Sequence, residues 1–158
     1  MDSRKIIIDI SQQKARLIEG DEPIKIYSVS TAANGTGCEL GSQMTPLGRF
    51  IIYKKIGTNC EAGTVFKNRI PTTEICTKNP LSPLWQSAED LILSRILWLD
   101  GIEDMNANTK DRYIYLHGTN QEHLLGEPVS HGCIRFSNTD IIELFDQVEE
   151  GTEVLILP

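Results

Sequence analysis

Short apolar runs, broken every few residues by charged or turn-forming residues, fill the first third of the chain. Ile6, Ile7 and Ile8 in KIIIDI are closed at once by Asp9, and KARLIE (14–19) and IKIYSVS (24–30) follow. In the third run Ile24, Ile26 and Ser28 alternate with Lys25, Tyr27 and Val29, a partial two-residue period of the kind a half-buried strand shows. SQQK and GDEP supply polar connections, so the pattern predicts a meander of antiparallel strands. Asn34-Gly35 in AANGTG marks a turn. TPLGRFIIYKK then predicts a rigid turn at Pro46, a permissive backbone at Gly48 and a strand from Phe50 to Lys54.

The middle of the chain is less regular. Residues 56–86 carry three prolines and two glycines without a helical period. A structureless stretch of that length is uncommon in a compact domain and often serves as a lid or binding wall; short strands are expected inside it at TVFKNR and TEIC. Residues 87–101 (SAEDLILSRILWLDG) fit a buried helix or a buried strand equally, because a continuous apolar run carries no diagnostic period. DRYIYLHG (111–118) predicts a strand with Tyr113 and Tyr115 on one face and Ile114 and Leu116 on the other. In SNTDIIELFDQVEEG, Ser137 stands three before Asp140 like a capping pair, and Gly151 sits where a left-handed cap would end a helix. Ile141, Leu144, Phe145 and Val148 line one face of that helix, and TEVLIL closes the chain as a strand. The sum is a mostly β fold with one late α-helix. With no linker composition and no internal repeat, residues 1–158 are expected to form a single domain.

Composition narrows the function. A 158-residue domain buries roughly 68–70% of its unfolded surface and needs neither metal nor disulfide to hold it. The net charge of −7 argues against nucleic acid or an anionic membrane surface as partner. No run approaches the roughly 18 apolar residues of a membrane span. The opening MDSRKIIIDI lacks the apolar segment and small-residue cleavage site of a secretory leader. A cytoplasmic location is therefore expected, or a periplasmic or wall-associated one if a leader has been removed. Of four cysteines, Cys38, Cys60 and Cys76 lie in polar, loop-like stretches and are expected as free thiols in a reducing compartment.

Cys133 differs from the other three. It sits in PVSHGCIRFSN (128–138), two residues after His131, while His117 ends the predicted strand in HGTN (117–120). An adjacent imidazole can hold a cysteine as thiolate–imidazolium and make it a nucleophile. Gly132 lets the backbone approach a reacting carbonyl, and nearby N–H groups are then available for an oxyanion. The competing readings are an inert buried cysteine and a zinc site built from His117, His123, His131 and Cys133. The spacing of those four is unlike paired zinc-ligand patterns, and His123 reads as a surface residue on the loop over the site. Ser130 reads as a local backbone hydrogen-bonder, and Tyr113, Tyr115 and Trp98 as core or cleft wall.

The stretch IYLHGTN…LLGEPVSHGCIRFSNTDIIELFDQVEEGTEVLIL resembles the catalytic half of the L,D-transpeptidase (YkuD-like) domain family. YSVSTAANGTG, TPLGRFIIYKKIG and SRILWLDG resemble its N-terminal half. The resemblance implies a β-sandwich-like fold and a thioester intermediate, with Cys133 as nucleophile, His117 as base and the Gly118 carbonyl orienting the imidazole. It implies an oxyanion hole from backbone N–H groups around His131, Gly132 and Cys133. Arg135 is expected to steady the site or grip a substrate carboxylate, with Tyr115 and Thr119 as further substrate contacts. Peptidoglycan stem peptides or muropeptides are the implied substrates, carbapenems the implied suicide inhibitors, and no cofactor or metal is implied. The bond attacked would join the L-centre of a diamino acid to a terminal D-alanine. Water is the expected acceptor, making the chain a cytoplasmic L,D-carboxypeptidase of muropeptide recycling. An amine would make it a cross-linking transpeptidase, and a binding module without turnover is the non-enzymatic alternative.

Overall fold

A computed structural model describes residues 3–158. The apolar runs become strands β1 (Arg4–Asp9), β2 (Lys14–Glu19), β3 (Glu22–Ser30), β4 (Gly48–Ile56), β5 (Thr64–Lys67), β6 (Ile70–Ile75), β7 (Ile92–Gly101), β8 (Tyr115–Gly118), β9 (Ile134–Phe136) and β10 (Glu153–Leu157), with helix α1 (Asn138–Gln147) before the last. β1 to β3 pair antiparallel as a meander. The strands run β4-β10-β1-β2-β3-β9-β8-β7-β5-β6, and β4 also pairs with β7, so eight strands close into a ring with the β5–β6 hairpin outside it. The fold is mostly β with a late helix, and its two packed faces belong to one sheet that returns on itself. Alternate residues such as Ile6, Leu17, Phe50, Leu99 and Phe136 meet Ile141, Leu144 and Phe145 of α1 in a single buried cluster.

Within residues 87–101 the segment from Ile92 is strand β7, buried on both faces, while residues 87–91 are irregular. Leu97 and Leu99 enter the main core, while Ile96 packs with Phe66 and Tyr115 in a second cluster. A strand covered on both sides loses the polar–apolar alternation that identifies it. Ser94 breaks the register at φ +72. The expected irregular stretch 56–86 contains the β5–β6 hairpin. Asn68 and Arg69, expected inside a strand, are instead its two-residue turn at φ +50 and +66. Cys76 is not loop-exposed: it packs against Val65 and Leu93, and its N–H donates to the Gly63 carbonyl at 2.8 Å.

Two further expectations change. The strand expected from residue 111 starts only at Tyr115, because Lys110–Arg112 makes a 3-10 turn and Tyr113 is left-handed at φ +56. Helix α1 opens as expected, Ser137 Oγ accepting from the Asp140 N–H. It ends at Gln147 without a glycine cap: buried Val148 turns extended to reach the core. Gly151, at φ +92, serves instead the Glu149–Thr152 turn into β10. No helix among the described residues is long and apolar enough to cross a membrane.

Candidate active site

The parallel register of β8 and β9 assembles the site. Leu116 stands opposite Ile134 and His117 opposite Arg135, and Leu116, Ile134 and Phe136 are fully buried in the core. Side chains alternate across a strand, so Tyr115, His117, Cys133 and Arg135 share the other face. A parallel pair needs a long crossover, and that crossover, residues 119–133, delivers the cysteine. Its last turn is tied down from several sides. Ser130 N–H donates to the Thr31 carbonyl, Ala33 N–H to the Ser130 carbonyl, both at 2.9 Å, and Thr45 Oγ1 to the Gly132 carbonyl at 3.0 Å. Ser130 Oγ donates to the Cys133 carbonyl at 2.6 Å and accepts from the Gly132 N–H at 3.3 Å, the local role expected of it. Gly132 lies at φ +126, where a side chain would be strained.

Cys133 is partly buried and lines a cleft of about 360 Å³ with Asn68, Arg69, Ile92, Tyr113 and Tyr115. Its Sγ accepts from the Tyr115 N–H at 3.3 Å and donates to the Tyr113 carbonyl at 3.4 Å. Burial pushes the thiol up to about 12, with Asp90 adding to the rise and the Tyr115 N–H, Arg135 and Arg112 opposing it. His117 is buried, and its Nδ1 lies 2.6 Å from the Gly118 carbonyl. A carbonyl only accepts, so Nδ1 carries the proton and Nε2 is left free to take another. Burial pushes the imidazolium below its usual range; Asp90 and the Gly118 carbonyl pull it back up, while Arg135 lowers it. Neither shift favours the thiolate–imidazolium expected from residue types alone. Desolvation of both groups disfavours their charged forms.

The other expected residues divide. Tyr115 walls the cleft, only 4% exposed. Arg135 is 2% exposed; its Nη2 pairs with Asp90 Oδ2 at 3.1 Å and its Nη1 donates to Gln121 Oε1 at 2.9 Å. A guanidinium so enclosed, with both Nη atoms paired, is placed to steady the site. Thr119 is fully buried, its Oγ1 accepting from the Gln121 N–H at 3.0 Å, so it orders the crossover. His131 is largely exposed, with Nδ1 3.9 Å from Asp90 Oδ2. Gly118 packs so closely that an added Cβ would meet Asn138 Oδ1 at 2.5 Å. His123 is exposed, and among the described residues no group of three or more His, Cys, Asp or Glu side chains is placed to hold a metal.

Two participants escaped the sequence. Asp90, in an unpatterned stretch, is the counter-charge to Arg135 and the acid whose charge acts on both His117 and Cys133. Arg69, at the hairpin turn, reaches Tyr115 Oη with Nη1 at 3.0 Å. Neither lies near the HGTN or SHGC stretches in sequence, and no local pattern marks either one.

Comparison with known proteins agrees with this geometry. A family model described as the L,D-transpeptidase catalytic domain matches residues 3–156. A Bacillus licheniformis protein named as an L,D-transpeptidase, YkuD, is 29% identical over 154 residues, covering 98% of this chain and 66% of that protein. The crystal structure of an L,D-transpeptidase from Xylanimonas cellulosilytica aligns at a TM-score of 0.61 and 21% identity, covering 99% of this chain and 61% of that one. L,D-transpeptidase 3 from Mycobacterium tuberculosis, solved with a faropenem-derived adduct, aligns at 0.62 and 15% identity over 99% and 61%. The chain thus spans about two thirds or less of the length of these relatives. With the family match running through every strand and the helix, this chain belongs to the L,D-transpeptidase catalytic domain family of peptidoglycan enzymes.

Proposed function

We propose that the chain cleaves peptidoglycan tetrapeptide stems by acyl transfer through Cys133. The observation that supports this is the pairing of a cleft-lining thiol with an imidazole on the same sheet face, its Nδ1–H fixed on Gly118 and Nε2 left as base. As substrate enters, the Sγ proton passes to His117 Nε2 and sulfur bonds to the carbonyl carbon of the diamino acid. The resulting oxyanion is held by backbone N–H groups of the 131–133 turn. Cys133 N–H is the first candidate, since among the described residues it donates to no protein acceptor. Collapse breaks the C–N bond, and D-alanine leaves with the proton returned by His117. A thioester on Cys133 remains.

The acceptor decides the product. The names of the relatives favour an amine from a second stem, giving a cross-link between two diamino acids. Water, giving a tripeptide, is the carboxypeptidase fate, which would go with soluble muropeptides in the cytoplasm. Mass spectrometry of a disaccharide-tetrapeptide incubated with the protein separates the two as dimer against tripeptide. Cys133→Ala should abolish both products, and His117→Ala should lower turnover by about 10²–10⁴-fold. A carbapenem should add its whole mass to the wild-type chain and nothing to Cys133→Ala. Turnover that persists in Cys133→Ala would sink the proposal.

A further inference from the structure

Arg69 sits at the tip of the β5–β6 hairpin with φ +66, following Asn68 at +50. Two successive positive-φ residues are the signature of a hairpin turn that favours Asn-Gly. An arginine kept in the second position, against that preference, calls for a reason at the site it faces. Its guanidinium lies 4.6 Å from the Tyr113 ring centroid and 5.1 Å from that of Trp98, while Nη1 donates to Tyr115 Oη. The fork is thereby oriented in the cleft that Cys133 lines. Among the described residues no carboxylate lies within ion-pair distance of it, in a chain whose net charge is −7.

Tyr115 joins this arginine to the thiol. Its N–H donates to Cys133 Sγ, and its hydroxyl accepts from Arg69. The two ends of one tyrosine thus touch the attacking sulfur and the guanidinium within a single cleft. Building on the proposed acyl transfer, we propose that Arg69 is the receptor for the free carboxylate of the terminal residue released from the stem. A planar fork held on aromatic rings suits bidentate capture of that group. The enzyme is then selective for a scissile bond one residue from a free C-terminus, because the carboxylate positions the carbonyl over Cys133. Arg135, enclosed with Asp90, is not available for this task.

The test compares a disaccharide-tetrapeptide with its C-terminal amide, in the wild type, Arg69→Gly and Arg69→Lys. Glycine accepts the turn conformation, so Arg69→Gly removes the guanidinium while keeping the hairpin. The wild type should prefer the free acid by about 10- to 100-fold in kcat/KM, mostly through KM. Arg69→Gly should lose that preference by dropping on the acid alone, and Arg69→Lys should recover part of it. Calorimetric binding of both peptides to Cys133→Ala, with and without Arg69→Gly, should give the same acid preference and the same loss without turnover. If the wild type turns over neither peptide yet the binding preference holds, the acyl-transfer proposal fails and the receptor stands. Equal handling of acid and amide by the wild type would overturn the receptor. So would an equal loss on both peptides in Arg69→Gly, which marks a structural role. A preference that follows amidation of the diamino acid instead would show that Arg69 reads that carboxylate.

Discussion

His117 and Cys133 are both driven toward their neutral forms by burial, and that sets how the site responds to pH. In the proposed acyl transfer the base must be unprotonated to work. With its pKa below the ordinary value of about 6.5, the acid limb of kcat/KM should fall below pH 6.5, measured on the tetrapeptide stem. The same shift is a stability statement. Below about pH 6.5 the unfolded chain takes up the proton before the folded one does. The His117 contribution is then complete above that pH and lost as pH falls through the lower folded value. Thermal midpoints of wild type and His117→Gln should converge or cross as pH drops from 7 to 5. The thiol predicts the opposite limb: iodoacetamide should alkylate Cys133 slowly at pH 7 and faster from pH 9 toward 12. Fast alkylation at pH 6 would show a thiolate at rest. Cys133, His117 and Gly118 were legible in the sequence because their chemistry lies in two short contiguous motifs. Arg135 was legible as a residue that steadies the site or grips a carboxylate, but its partner was not, since nothing in HGCIR says that Asp90, 45 positions earlier, occupies its fork.

At the scale of elements, legibility followed locality. Helix α1 was readable from its apolar face and from Ser137, whose cap is a contact three residues long. Replacing that serine by alanine should cost about 1 kcal/mol, read as a lowered urea midpoint with an unchanged slope. Its end was misplaced because Val148 stops the helix to fill the main core, a demand no local signal carries. β7 was ambiguous for a similar reason: its faces are buried in two clusters, the main core and the one around Phe66 and Tyr115, both supplied by distant strands. The hairpin turn at Asn68-Arg69 was missed because arginine is the wrong residue for it by propensity. That mismatch, of order 1–2 kcal/mol for a left-handed non-glycine residue, is what draws attention to the cleft.

The whole molecule depends on the closure that joins β4 to β7. Ile52 stands opposite Leu99 at that seam, and both side chains are buried in the main core. Leu99→Ala should cost about 2–5 kcal/mol, measured by urea unfolding. A loss under 1 kcal/mol would mean that the seam relaxes around the gap. Short apolar runs, a capped amphipathic helix and two motifs were enough to determine a mostly β chain with a late helix and a cysteine–histidine pair, because each signal spans only a few neighbouring residues. Tertiary structure alone decided that the sheet closes, that Asp90 neutralises Arg135, that burial disfavours charge on the thiol and the imidazole, and that Arg69 stands in the cleft. Each of those arises between residues far apart in sequence, where burial and pairing are set by which strands become neighbours.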